Sequence, residues 1–165
     1  MSNNANASIY VGAPTGHYKV GETFSLSVRV NTYGNSINAV SANVLFSNDT
    51  LNLLSVSKTP SIVKFWVEDP SYSNSSGSAT FQGVIPNPGY LGNGGQIVTL
   101  VFRAKAVGPA SLSISSGSVL ANDGQGTEIG SQFTGTNFSI CRGKFCSRAE
   151  YCACKGFACR FYPSS

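Results

Sequence analysis

The residues best equipped for chemistry crowd into the last stretch of this 165-residue chain. All five cysteines, Cys141, Cys146, Cys152, Cys154 and Cys159, lie between Cys141 and Ser165, spaced C-x4-C-x5-C-x-C-x4-C. Two pieces are alike: Cys141-Arg-Gly-Lys-Phe-Cys146 and Cys154-Lys-Gly-Phe-Ala-Cys159. In each, a glycine sits where a tight turn could bring the flanking segments together for a disulfide to lock. Thiolates at Cys-x-Cys spacing also suit a metal cluster, although the segment has no C-x2-C pair and no histidine. Three readings stay open. One is a disulfide-stapled mini-module, since so short a segment cannot build an adequate core without cross-links. The second is a thiolate metal site. The third is a disordered or appended tail, an engineered fusion included. Five cysteines allow two bridges and leave one thiol, free or joined to another chain, so a disulfide-linked oligomer is one expectation.

The same segment carries the charge. Arg142, Lys144, Arg148, Lys155 and Arg160 face only Glu150, which accounts for the whole net charge of +4; residues 1–140 hold six cations and six anions. A cationic, aromatic, cysteine-rich peptide resembles antimicrobial and toxin-like peptides in general character. Its charge would favour an anionic membrane, a polysaccharide or an acidic protein. No nucleic-acid motif accompanies the charge, so no specific nucleic-acid partner is expected.

Residues 1–140 offer little reactive chemistry. His17 is the one histidine and falls in a predicted loop, where an exposed turn residue is the plain reading; no G-x-S-x-G or H-E-x-x-H occurs. Glu68 and Asp69 are adjacent, so a strand would point them to opposite faces, unlike a glycosidase pair flanking one sugar. Nothing marks out an enzyme, and no cofactor is required. Asn122, Asp123 and Glu128 gather hard oxygen ligands around a glycine-rich loop, a weak calcium candidate whose plain reading is an Asp-Gly turn. Tyr33, Trp66, Tyr72 and Tyr90 lie in or beside loops and could stack on sugar rings. The plain reading of Trp66, inside a strand, is a core residue; its shared strand parity with Lys64 and Glu68 weakens that reading.

The elements that would position these residues are strands. Thr23–Asn31 alternates through Phe24, Leu26, Val28 and Val30, and Ala39–Phe46 through Val40, Ala42 and Val44; such period-2 patterns mark half-buried strands. Ser8–Gly12, Leu51–Val56, Ile62–Glu68, Ser78–Val84, Gln96–Ala106, Ala110–Ile114, Ser118–Leu120 and Phe133–Ile140 complete the set, with loops at Asp69–Gly77 and Pro86–Gly95. No segment has a convincing helical period. The expected class is all-β: an antiparallel β-sandwich with jelly-roll topology over residues 8–140, a disordered arm at 1–7 and a cationic Cys-rich tail at 141–165.

Three stretches carry a resemblance: Val20-Gly-Glu-Thr-Phe-Ser-Leu-Ser-Val-Arg-Val, Ile37-Asn-Ala-Val-Ser-Ala-Asn-Val-Leu-Phe with Leu51-Asn-Leu-Leu-Ser-Val, and Gly94-Gly-Gln-Ile-Val-Thr-Leu-Val-Phe-Arg-Ala-Lys-Ala-Val-Gly-Pro. Residues 8–140 resemble a cohesin domain. That resemblance implies a nine-stranded jelly roll and a non-catalytic receptor. Many cohesins bind dockerin modules through one sheet face, and the wider superfamily includes cellulose-binding modules. No run approaches the ~18 apolar residues of a membrane span. Met1-Ser-Asn-Asn-Ala-Asn lacks the features of a signal peptide, so a secreted form would have lost its leader already. The low-charge, Ser/Thr/Asn-rich body suggests a secreted or cell-surface module, and the resemblance implies that it is a recognition or adhesion module with a protein partner. The alternatives are a carbohydrate-binding module for cell-surface polysaccharide, a structural subunit of a surface assembly, and a cohesin-like scaffold carrying a fused peptide.

Overall fold

The computed structural model of the chain describes residues 6–14 and 16–142. Cys146, Cys152, Cys154 and Cys159, with Lys144, Arg148, Lys155 and Arg160, lie outside the described residues, and so do the readings placed on them. The elements are all strands: β1 (Asn6–Val11), β2 (Tyr18–Lys19), β3 (Thr23–Asn31), β4 (Ile37–Phe46), β5 (Leu51–Ser57), β6 (Phe65–Ser73), β7 (Ser78–Val84), β8 (Gly95–Ala104), β9 (Gly108–Ala121), β10 (Glu128–Thr134) and β11 (Thr136–Cys141).

Hydrogen-bonded neighbours run β5-β8-β3-β1-β10-β9-β4-β7-β6, with β11 beside β9 and β2. The path folds over so that the inner faces of β5-β8-β3-β1 and β9-β4-β7-β6 share one core. The alternation in sequence decides this. Phe24, Leu26, Val28 and Val30 of β3 are buried, and so are Val40, Ala42, Val44 and Phe46 of β4. Each fully buried side chain of this size contributes about 1.5–3 kcal/mol. Phe46 of β4 meets Phe102 of β8 across the layers, edge to face with ring centroids 5.3 Å apart, and Phe24 packs on the same ring at 5.9 Å. The edge strands β5 and β6 are laced together by side chains. Asn74 just after β6 accepts from Leu53 N at 2.7 Å and donates to Leu53 O at 2.9 Å, and the Tyr72 hydroxyl donates to Leu54 O at 2.6 Å.

The jelly-roll sandwich holds, with differences in detail. Setting aside two-residue β2 and counting β10 and β11 as one broken strand leaves the expected nine. The sheet is mixed rather than wholly antiparallel, because β1 pairs β10 and β2 pairs β11 in parallel. Alternation reports which face a residue takes and is silent on the direction of its neighbour. Asn6 and Ala7, read as the end of a disordered arm, belong to β1, and Ala7 is buried. At the other end β11 continues through Cys141, which is buried and disulfide-bonded. Strand β6 runs on through the stretch read as loop, carrying Asp69 and Pro70 as a bulge. An edge strand tolerates such a proline because its N–H side needs no ladder partner.

Candidate binding face

The outer face of the β9-β4-β7-β6 layer is defined by strand register. Phe65 of β6 lies beside Val84 of β7, Val84 beside Ala39 of β4, and Ala39 beside Leu120 of β9. This row is wholly apolar. The next row is Glu68, Gln82, Ser41 and Ser118; the third is Ser71, Thr80, Asn43 and Ser116; the last is Ser73, Ser78, Leu45 and Ser113. Between the rows, the alternate residues of β7 and β4 are buried, as period-2 strands require; on β9 the register shift opposite Asn43 and Val44 breaks the pattern, leaving Gly117 half-buried and Ser115 exposed.

Hydroxyls knit the polar rows. Ser41 and Ser118 share a hydrogen bond at 2.9 Å, Ser71 and Thr80 one at 3.2 Å, and the Thr80 hydroxyl donates to Glu68 Oε1 at 3.4 Å. In the third row, Asn43 Oδ1 is buried without a hydrogen-bond partner among the described residues. Phe65 is 66% exposed, as is Val67, the residue that the β6 bulge inserts between Trp66 and Glu68. Of sixteen register positions, Glu68 alone is charged. The result is a pleated surface of short hydroxyl and amide side chains, apolar along one end.

That bulge also overturns the parity argument for Trp66. Trp66 pairs with Gly83 on the core side, whereas Glu68 pairs with Gln82 on the outside. The indole packs edge to face on Phe81, centroids 6.4 Å apart, and joins the core. Tyr90 also packs against the core, with its ring over Gly95 and its hydroxyl donating to Asn93 O at 3.3 Å. Tyr72 spends its hydroxyl on Leu54. Tyr33, in the β3–β4 turn, is 57% exposed. The four aromatics therefore form no shared platform: two pack into the core and one is tied into the β5–β6 seam.

The remaining candidates are dispersed. His17 and Arg142 are exposed. Asp69 pairs with Lys58 Nζ at 2.9 Å, and Glu68 sits on the sheet face, so the two carboxylates do not confront one site. Asn122 donates to Pro88 O at 2.8 Å, and Asp123 Oδ1 accepts from Gln125 N at 2.9 Å. The Asp123 carboxyl is held below its ordinary value first by a hydrogen bond from the Thr127 side chain and then by the Gln125 N–H. These bonds make the 122–128 loop a self-satisfied Asx turn. Among the described residues no group of three His, Cys, Asp or Glu side chains is placed to hold a metal ion. Among the described residues no helix is long and apolar enough to cross a membrane.

The chain is thus a two-layer β fold whose outer face is rich in hydroxyls and carries one charge, Glu68. Comparison with solved structures names the fold as that of cohesin modules. A type I cohesin from Clostridium thermocellum, solved as a complex with a dockerin, superposes with a TM-score of 0.67 at 11% identity, over 86% of this chain and 98% of its own. The non-cellulosomal cohesin of the archaeon Archaeoglobus fulgidus gives 0.67 at 13% identity, over 85% and 94%. The seventh ScaB type I cohesin from Pseudobacteroides cellulosolvens gives 0.64 at 21% identity, over 88% and 98%. No protein-family model and no curated protein sequence matches the chain.

Proposed function

We propose that the chain is a non-catalytic recognition module, working outside the cell, that captures a dockerin-type protein module on the outer face of β9-β4-β7-β6. The cohesin fold supports the partner class. The observation that carries the reading is the make-up of that face. Protein interfaces are depleted of charge at their centres and take much of their energy from a few exposed aromatic anchors. Here one carboxylate, a block of short polar side chains and the projecting Phe65 meet those requirements together. Short side chains also lose little rotamer freedom on binding.

Titration calorimetry against a panel of dockerin modules tests this. One panel member should bind the whole chain. Gln82→Arg, which plants a cation in the second row, and Phe65→Ser should each weaken that complex by about 100-fold. Thermal midpoints near wild type would show that the fold is intact. Failure of every panel member to bind, or a complex indifferent to Gln82→Arg, would reject the assignment.

A further inference from the structure

We propose that the loop tip built from Tyr33, Leu91 and Asn93 is a second binding site, separate from the sheet face, and that it takes a neutral polysaccharide. The starting observation is a backbone outlier. Tyr33 is the one non-glycine residue with positive φ among the described residues, at 45°, and Gly34 follows at 89°. Asn35 N donates to Thr32 O at 3.0 Å, closing a two-residue turn with both central residues left-handed. Such turns favour Asn, Asp or Gly at the first position, where a bulky aromatic is strained. Strain of this kind persists where the surroundings over-determine it, and it concentrates at functional positions.

The surroundings here do over-determine it. Thr32 is fully buried, donates its N–H to Gly92 O at 3.0 Å and accepts from Gly92 N on its hydroxyl at 3.0 Å. Asn31 Oδ1 accepts from Gly94 N at 2.7 Å, and Arg29 Nη1 donates to Gly94 O at 2.9 Å. The β3–β4 turn and the β7–β8 loop are thus bolted to each other at the residues flanking Tyr33 and Leu91. What they display has no role in the core: Tyr33 is 57% and Leu91 62% exposed. Asn93, two residues beyond Leu91 on the same loop, is exposed too.

The chemistry of the tip selects its ligand. No charged residue occurs in 30–48 or 85–102, and Arg29, which braces the loop from beneath, spends its guanidinium on Gly94 O and Gln96 Oε1, so neither an anionic nor a cationic ligand is favoured. A pyranose offers an apolar C–H face and a rim of hydroxyls. A tyrosine presents an apolar ring with a polar end, and an asparagine amide supplies both a donor and an acceptor. A rigid base means little ordering cost on binding.

The test is affinity electrophoresis of the whole chain in gels containing mixed-linkage β-glucan, xyloglucan or galactomannan, with polygalacturonate as an anionic comparison. At least one neutral polysaccharide should retard the protein, and the retardation should survive raised salt. Tyr33→Asn removes the ring while suiting the turn better, so it should weaken retardation by about thirtyfold with an unchanged or higher thermal midpoint. Gln82→Arg on the sheet face should leave retardation intact, which separates this site from the protein-binding one. Free migration in every neutral gel, retardation lost with salt, or a Tyr33→Asn variant retarded like wild type would each overturn the proposal. So would loss of dockerin-module capture, rather than of retardation, in Tyr33→Asn.

Discussion

The Asn74 amide closes the open side of the sandwich by imitating a strand, and its removal has a calculable cost. Its side chain gives Leu53 both halves of a ladder pair, accepting from the N–H at 2.7 Å and donating to the C=O at 2.9 Å. Leu53 is itself buried in the core. Asn74→Ala leaves two backbone groups without partners, at about 1–3 kcal/mol each when water cannot replace the bond. The seam is half open and water will relieve part of this, so the expected loss is about 2–4 kcal/mol. Urea unfolding should show a lower midpoint with an unchanged slope, because the surface exposed on unfolding is the same. Hydrogen exchange at the Leu53 amide should accelerate. Asn74→Asp sharpens the test. Its carboxylate still accepts from Leu53 N but faces Leu53 O with no proton to give. Below the ordinary aspartate value of about 3.9 the carboxyl regains a donor, so the deficit against wild type should shrink as pH falls. A loss in Asn74→Ala under about 0.5 kcal/mol, with Leu53 exchange unaltered, would refute the reasoning.

Gly83→Ala should destabilise by about 1–3 kcal/mol, because the new methyl is driven into the Val63 side chain in a filled core. Calorimetric melting should detect this, and a second change, Val63→Ala, should recover part of the loss if overpacking is the cause. The Asp123 loop should respond to pH. Its carboxyl is depressed in the folded chain, so its contribution is present above the ordinary carboxylate value and is lost as pH falls through the lowered one. An NMR titration should show the Gln125 amide following Asp123, and a flat Gln125 shift would remove that carboxylate from the turn.

Much of the fold was legible because burial in a sandwich imposes period 2. The strands around Phe24–Val30, Val40–Phe46 and Val98–Phe102 emerge from alternation with boundaries correct to a residue or two. The misreadings sit where the period breaks. Two residues of β6, Asp69 and Pro70, oppose one on β7, which makes a strand look like a loop. In β9 a bulge beside Ser116 splits one strand into two apparent pieces. Gly135 divides the last strand because it lies against the Leu112 carbonyl, where a side chain would collide. The parity that set Trp66 with Glu68 misleads for the same reason, since parity counted across a bulge inverts, and the plain core reading of Trp66 holds. The binding face was less visible than the core. Outward residues can be read from one strand alone, but the row Phe65–Val84–Ala39–Leu120 exists only through four registers. Tyr33 was legible as an exposed aromatic; its left-handed backbone, the fact that singles it out, was not.

The parallel pairing of β1 with β10, and of β2 with β11, has a mechanical consequence. Strands in parallel register carry their free ends in opposite directions, so tension between Asn6 and Cys141 runs along the strands and not across them. All five residue pairs from Asn6–Gly130 to Tyr10–Thr134 then share the load at once, whereas a hairpin pulled open at its ends yields one bond at a time. A domain pulled by these two ends would therefore be loaded in shear along β1 and β10.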